Sequence, residues 1–359
     1  MVKHIEKKEE ILLSIIVPVY NGEKYLATLL DSIISNNGED FAYEIILIND
    51  GSTDHSETVC RLFEQNTSNI HYYLKSNGGI ASARNEGVNR AKGKYITFAD
   101  QDDKVISSYK KHVEKCVNEQ IEMYITSYCI CQNEKVTDAY TLSDEVIDDR
   151  RIIKDIAATL IDSKYFKAEE HQNGPNSVWN IIYSRSLVVE NNIYFKSFID
   201  YEDDWIFNIE TLLHANKIAM SCKKYYCWNV HKTSESHRGK YIYDLINKRK
   251  SWMEWLMSIL QLLDINKKTI DLFISHVLIP RNIMISFKNT CWKPEVSSKD
   301  IIDEIRIILS TEGWDIDTVD ISKIDEMPNI EKLLFILLKQ RRLRMAYFLN
   351  RYIFGRRFH

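Results

Sequence analysis

Glycine and proline are scarce in this 359-residue chain, eleven and five respectively, which argues against a low-complexity protein. Motifs that would name several enzyme classes are also missing. No G-x-G-x-x-G follows the first strand-like run, which counts against a dinucleotide-binding domain, and no P-loop is present. The seven cysteines include no C-x-x-C: one residue separates Cys129 from Cys131, and four separate Cys222 from Cys227. No structural zinc is implied, and free thiols in a reducing cytoplasm are expected. No apolar run approaches the ~20 residues that a spanning helix needs. No signal peptide is visible, because residues 1–10 are charged and residues 11–20 are short and β-like. These absences point to a cytoplasmic protein with, at most, peripheral membrane attachment.

The chain is long enough for two domains, and its 45% apolar and 27% charged residues are ordinary for a globular protein. Charge is uneven, however. Residues 329–359 hold Lys332, Lys339, Arg341, Arg342, Arg344, Arg351, Arg356 and Arg357 against one acid, Glu331, a local net of +7 within a chain of net −4. Residues 332–354 mix these cations with Leu333, Ile336, Leu337, Phe348, Leu349 and Tyr352. They read either as a basic amphipathic helix that contacts an anionic membrane leaflet or as a packing helix with a solvated basic face. No nucleic-acid motif accompanies the charge, so nucleic acid is not an expected partner.

The first hundred residues alternate strand and helix signals. Continuous apolar runs at residues 12–19, 43–48, 70–74 and 95–99 suit buried parallel strands. Helical spacing fills residues 23–35 and 82–91, and Asp54 can cap a helix through Val59 and Phe63. The βαβαβαβ order implies a parallel sheet flanked by helices. A strand is expected at residues 123–131, a strand-like stretch at 192–198 and a helix through residues 206–214. From about Tyr241 the pattern is helical, with a boundary near Gly239.

Polar residues gather where these strands end. Pro18-Val19-Tyr20-Asn21 closes the first, and Asn49-Asp50-Gly51-Ser52-Thr53-Asp54 the second, which also reads as an Asx-turn with a cap. Asn77-Gly78-Gly79 allows close backbone approach, and Arg84 follows it. Asp100-Gln101-Asp102-Asp103 ends the fourth strand, where open α/β sheets bind ligands and carboxylates suit a hard cation. A second acidic cluster, Glu202-Asp203-Asp204, precedes Trp205. It reads as a helix N-terminus or as catalytic carboxylates.

These segments, in this order, resemble the glycosyltransferase family 2 domain, an inverting, DxD-containing GT-A fold. The resemblance is carried by residues 14–22, 44–54, 77–87, 93–103 and 179–204 and covers about residues 11–235. It implies a Rossmann-like, mostly parallel sheet with helices in residues 1–239, the nucleotide-binding half at about 11–104 and the acceptor side at about 105–239. A C-terminal helical domain at 240–359 lies outside it. Pro18 and Tyr20 look like the uracil-contacting strand end, Asp50 like the carboxylate that bonds the base, and Arg84 like the basic residue near base and phosphates. Asn21, Gly51, Asn77 and Gln101 join this nucleotide-sugar set from the same motifs. Asp100 and Asp102 look like the DxD pair, facing ribose and binding Mn²⁺ or Mg²⁺ on the donor pyrophosphate, with Asp103 supporting them. Asp203 matches the general base, Glu202 a contact to acceptor or base, and Asp204 the substitute base. Trp179 and Asn180 match an acceptor-side segment, with Trp179 stacking on a sugar face or filling the core. Ile181 stands where many relatives have lysine. His231 sits where some relatives place a histidine near the metal, and residues 234–238 read as a closing loop or a polar linker.

The expected activity is transfer of a sugar from a UDP-sugar to a hydroxyl of a glycan or lipid-linked glycan, in bacterial capsule, lipopolysaccharide or wall-polymer synthesis. Two alternatives stand beside it. A sugar-phosphate nucleotidyltransferase usually has a Gly-rich basic loop after its first strand, which Asn21-Gly22-Glu23 does not supply. A non-catalytic nucleotide- or glycan-binding subunit would have a decayed site, whereas Asp100, Asp102 and Asp203 are all present.

Overall fold

The computed structural model describes residues 10–132, 135–162, 175–198, 203–230, 241–294, 296–324 and 327–354. The chain divides into two compact units, residues 1–237 and 238–359.

The first unit is built on strands that are buried on both faces. β1 (Leu13–Val19) and β2 (Tyr43–Asn49) have no exposed residue, which is why their sequences run almost unbroken in Ile, Leu and Val. Ser14 and Glu44, polar residues within them, bond to each other. Ser14 Oγ donates to Glu44 Oε1 at 2.6 Å, and the same Glu44 oxygen accepts from the Lys92 amide at 2.7 Å. β1 pairs in parallel with β2 and with β4 (Tyr95–Phe98), and β2 with β3 (Ile70–Leu74). Between them run α1 (Leu26–Asn36), α2 (Ser56–Asn66) and α3 (Ile80–Arg90). This βα half matches the expectation from periodicity, within one to three residues at most ends.

Beyond β4 the sheet is mixed. β5 (Lys104–Val105), α4 (Lys110–Glu119), β6 (Met123–Gln132), β7 (Lys135–Tyr140), β8 (Glu145–Ile147) and α5 (Arg150–Ile161) follow. Next come β9 (Ile181–Ser184), α6 (Arg185–Glu190), α7 (Asp203–His214) and β10 (Ile218–Asn229). The strand order is β3-β2-β1-β4-β9-β6-β10-β5, with β7 on β6 and β8 on β10. β9 runs antiparallel to both its neighbours, whereas β6 and β10 are parallel. The β6–β10 register shifts twice between Ser221 and Cys227. A bulge bends a strand and re-aims its side chains, and here the consecutive Tyr225 and Tyr226 are both buried.

Residues 192–198, expected to be strand-like, form no strand. The Asn85 side chain supplies the pairing instead: its Nδ2 donates to the Phe195 carbonyl at 2.9 Å and its Oδ1 accepts from the Phe195 amide at 2.8 Å. Phe195 then stacks on Phe207 of α7 and meets Phe98 of β4 edge-on, which ties this loop to the core.

The second unit is helical: α8 (Leu245–Leu260), α9 (Lys267–Phe273), a π-helical turn (Ile274–Leu278), α10 (Ile279–Cys291), α11 (Ser298–Leu309), α12 (Asn329–Lys339) and α13 (Leu343–Phe354). The continuous helix Lys267–Cys291 is long and apolar enough to cross a membrane by length and composition, which the sequence reading did not anticipate. Half of its most apolar stretch is buried inside the protein, and α10 packs against α8, α11, α12 and α13, as the central helix of a bundle does.

Candidate active site

Four strand ends meet at one edge of the sheet, and strand order switches direction between β1 and β4. Open α/β sheets bind ligands in the crevice at such a point. Pro18 helps to open it. On the β4 side, the carbonyls of Leu12 and Ile16 accept from Tyr95 and Ala99; on the β2 side, that of Val19 accepts from Asp50. By this alternation Pro18 turns its missing N–H toward β4, just past the last β1–β4 pair at Ile16 and Phe98. Proline therefore removes no ladder bond, and β1 leaves β4 at the point where a ligand can enter. Tyr20 follows with its side chain exposed at the mouth.

The loops around this mouth hold one another. Gln101 Oε1 accepts from the Tyr20 amide at 3.0 Å, and its Nε2 donates to the Tyr20 carbonyl at 2.8 Å. Gly22 makes room for it, since a Cβ there would lie 2.2 Å from Gln101 Oε1. Asn21 sits in the left-handed region at φ 48°, which asparagine tolerates. Its Oδ1 accepts from the Thr53 amide at 2.8 Å, and its own amide donates to Ser52 Oγ at 3.0 Å. Gln101 and Asn21, expected to contact nucleotide-sugar, thus spend their amide groups on bracing the β1 loop. Gly51 (φ 73°) packs beside the exposed Asn77, whose amide nitrogen would be 3.0 Å from a Cβ.

Asp50 is buried at the end of β2. Its Oδ1 accepts from Lys75 Nζ at 2.6 Å and the Gly78 amide at 2.9 Å, and its Oδ2 from the Gly79 amide at 2.7 Å. Lys75 was not singled out by the sequence reading, although a cation directly after a strand end was there to be found.

Arg84 is placed differently from the expectation. It is not free to meet a phosphate: its side chain is only 3% exposed, and it is engaged by carboxylates. Nη2 donates to Asp100 Oδ1 at 3.0 Å, Nη1 is bonded to Asp204 Oδ1, and the guanidinium lies 5.3 Å from the Phe195 ring centroid. One cation on α3 thereby joins the end of β4 to the start of α7. Asp204, expected as a substitute base, is committed to this pair. Asp203 is the first residue of α7. Glu202 and His231, together with residues 234–238, lie outside the described residues.

Asp103 is buried beneath the other two acids. Tyr226 Oη donates to its Oδ2 and the Asn229 amide to its Oδ1, both at 2.8 Å. Burial pushes its carboxyl well above the ordinary range, and the charges of Asp100 and Asp102 add to this. Tyr226 Oη also accepts from the Asp100 amide at 2.9 Å, and Asn229 Nδ2 donates to the Asp102 carbonyl at 2.9 Å. Tyr226 and Asn229 of β10 thus set the backbone path of the acidic turn, and no local sequence signal marked either.

Trp179 and Asn180 belong to the core beneath this turn, not to an acceptor surface. Trp179 is 7% exposed, stacks on Tyr226 with ring centroids 4.7 Å apart, and meets Tyr128 edge-on. Asn180 Nδ2 donates to the Thr126 carbonyl at 2.7 Å, and its Oδ1 accepts from Ser177. Of the two sequence readings of Trp179, the geometry matches core packing.

No group of three or more His, Cys, Asp or Glu side chains able to hold a metal exists among the described residues. Asp100, whose Oδ1 accepts from Arg84, and Asp102 two residues on supply the carboxylates of this turn besides the buried Asp103. Two carboxylates, with a diphosphate and water completing the shell, are a donor set that fits Mg²⁺ or Mn²⁺.

Comparison with known proteins agrees with this architecture. Residues 14–188 match the model for glycosyl transferase family 2. The chain is 26% identical over 302 residues to the uncharacterized glycosyltransferase EpsJ of Bacillus subtilis, covering 83% of each. It is 45% identical over 93 residues to the minor teichoic acid biosynthesis protein GgaB of the same species, covering 26% of this chain and only 10% of GgaB. Residues 1–349 of S. aureus TarS, solved with UDP-GlcNAc, superpose with a TM-score of 0.61 at 19% identity, covering 96% of this chain and 92% of that one. Residues 14–188 are thus similar to a glycosyltransferase family 2 domain, and the chain shares the GT-A fold of its solved structural neighbours, with helices C-terminal to it.

Proposed function

We propose that this protein is an inverting, metal-dependent transferase that moves a sugar from a UDP-sugar to a hydroxyl of a glycan or lipid-linked glycan in bacterial surface-polymer synthesis. The observation that carries the proposal is the single guanidinium of Arg84, bonded at one end to Asp100 and at the other to Asp204. It fixes the diphosphate-side carboxylates relative to the start of α7, where Asp203 stands. The donor class is supported by the UDP-GlcNAc bound to TarS, and the polymer context by the teichoic acid role in the name of GgaB.

In this reading the exposed Tyr20 ring stacks on the base and Asp50 accepts from its ring N–H. Asp102 and Asp100 would hold a Mg²⁺ or Mn²⁺ ion, which would supply stabilisation of the charge on the leaving UDP. Asp203 removes the proton of the acceptor hydroxyl, which attacks the anomeric carbon from the side opposite the diphosphate. One displacement with one base inverts the configuration. A positioned base contributes about 10²–10⁴-fold.

UDP release from a panel of UDP-sugars, with Mn²⁺ and with a chelator, tests the class and names the donor. Asp203→Asn should lower kcat by about 10²–10⁴-fold while donor binding persists, and Asp102→Asn should abolish the response to metal. Full turnover by Asp203→Asn would remove the base assignment. Tight UDP binding with no turnover on any acceptor would favour a binding subunit instead. A product that retains the donor's anomeric configuration would exclude single displacement.

A further inference from the structure

The second unit carries a surface that catalysis in the first does not use. α13 has two faces. Leu343, Ala346, Tyr347 and Asn350 are buried, while Met345, Phe348 and Tyr352 point outward at 55%, 61% and 71% exposure. Their i, i+3, i+7 spacing makes one stripe about 10 Å long. Arg344 and Arg351 flank the stripe, and Arg341 and Arg342 stand at its N-terminal end; all four are exposed.

The charge on this face is only partly compensated. α13 contains no acid, and the one acid of α12, Glu331, is held by Lys288 at 2.5 Å. Arg341 meets Asp317 at 3.0 Å, and Arg351 donates to the Tyr347 hydroxyl at 3.0 Å. Arg342 and Arg344 make no ion pair among the described residues. Arg356 and Arg357 follow in the sequence.

We propose that the outward face of α13 seats this protein on an anionic lipid surface. Large apolar side chains directed outward from a convex helix have no groove of their own to fill, but they suit the boundary between headgroups and acyl chains. Tyrosine is favoured at that depth. Arginines beside them keep their guanidinium groups at the phosphates while their stems lie along the apolar layer. A second copy of the chain is a poorer fit. A two-fold contact would bring Arg342 and Arg344, which make no ion pair among the described residues, against their own counterparts. The proposal is independent of the transfer chemistry: a soluble transferase and a membrane-seated one would share the same active site.

The test is co-sedimentation of the full chain with vesicles of phosphatidylcholine alone or mixed with phosphatidylglycerol. Binding is expected only to the mixed vesicles and should weaken as salt rises. Arg342→Ala and Arg344→Ala should each lower partitioning about fivefold. Phe348→Ser should lower it further without changing the melting temperature, since the ring is exposed. A Phe348→Trp variant should be quenched by lipids brominated in the acyl chains. Absence of binding to anionic vesicles, equal binding to neutral ones, or unchanged binding in all three loss variants would overturn the proposal. So would a wild-type dimer in sedimentation velocity that Phe348→Ser converts to monomer, because the face would then belong to a second copy.

Discussion

Replacing Arg84 with methionine removes the cation that joins two acidic segments while keeping most of the side-chain volume. The Arg84 side chain is 3% exposed, and those of Asp100 and Asp204 are 26% and 21% exposed. Breaking a buried ion pair costs about 3–5 kcal/mol, because the remaining charge is stranded. Partial access of water to both carboxylates argues for the lower end, about 3 kcal/mol. For a domain of this size each kcal/mol shifts the midpoint by about 2–4 °C, so the variant should melt roughly 6–12 °C lower. Activity should fall as well, since a ~1 Å displacement at an active site can cost about 10²-fold. Arg84→Lys should recover only part of both losses, because an ammonium is a point charge without arginine's two-pronged reach. A double-mutant cycle of Arg84→Met with Asp204→Asn, followed by thermal melts and by UDP release, reads the coupling directly. A coupling of about 1–3 kcal/mol is expected for groups in contact. Additive effects in the cycle, or a melting temperature unchanged in Arg84→Met, would refute the claim that this guanidinium holds β4 and α7 together.

Three further predictions concern the frame of the site. Gly93→Ala would place a Cβ 2.6 Å from the Ser14 amide nitrogen and 2.7 Å from the Leu13 carbonyl carbon, backbone atoms of a central strand, so urea unfolding should show a loss of about 2 kcal/mol or more. His112 is held neutral by burial, with Lys115 and Lys223 adding to the effect, which pushes its pKa from 6.5 down to about 4. The unfolded chain binds the extra proton between those values, so stability is full above pH 6.5 and falls toward pH 4; the wild type should lose about 3 kcal/mol more than His112→Gln across that window. Trp179→Phe should destabilise the protein by about 1–3 kcal/mol and lower kcat through Tyr226 while leaving the acceptor KM unchanged; a selective rise in acceptor KM would return Trp179 to the acceptor surface.

The parallel half was legible in the sequence because its strands are buried on both faces and therefore leave unbroken apolar runs. Asp100 and Asp102 stood out because carboxylates directly follow such a run, where open α/β sheets bind ligands. Long-range pairing was not. The partners of Arg84 lie 16 and 120 positions away, and a basic residue near a glycine loop reads as a phosphate contact until the fold shows that carboxylates already hold it. Trp179 stayed open between two readings for a similar reason: an aromatic beside an active-site segment looks the same in sequence whether it faces a sugar or a neighbouring tyrosine. The stretch 192–198 looked like a strand because its apolar residues anchor a loop, and the hydrogen-bond partner that replaces a strand neighbour is a single asparagine on α3. Tyr226 and Asn229 escaped notice because the bulges of β10 that aim them break the period-two pattern on which strand reading depends.

Asp50 shows how the proposed base site fits a residue that is already well bonded. A carboxylate offers about four lone-pair positions. Lys75 and Gly78 occupy the two on Oδ1, while Gly79 takes one on Oδ2, and the 3.2 Å approach of the Gly78 amide leaves the last only loosely filled. One further donor, such as the ring N–H of a pyrimidine, can therefore bind without displacing any close partner. The existing contacts also make the site more selective. Lys75 balances the carboxylate's charge, so a neutral N–H meets a fixed acceptor whose desolvation is already largely complete. Gly79, at φ 83°, directs its amide into the same carboxylate from a backbone conformation that side chains rarely adopt. The Gly-Gly loop that read in sequence as room for close backbone approach thus spends two of its amides on the Asp50 carboxylate, which holds in place the acceptor atom of the proposed base site.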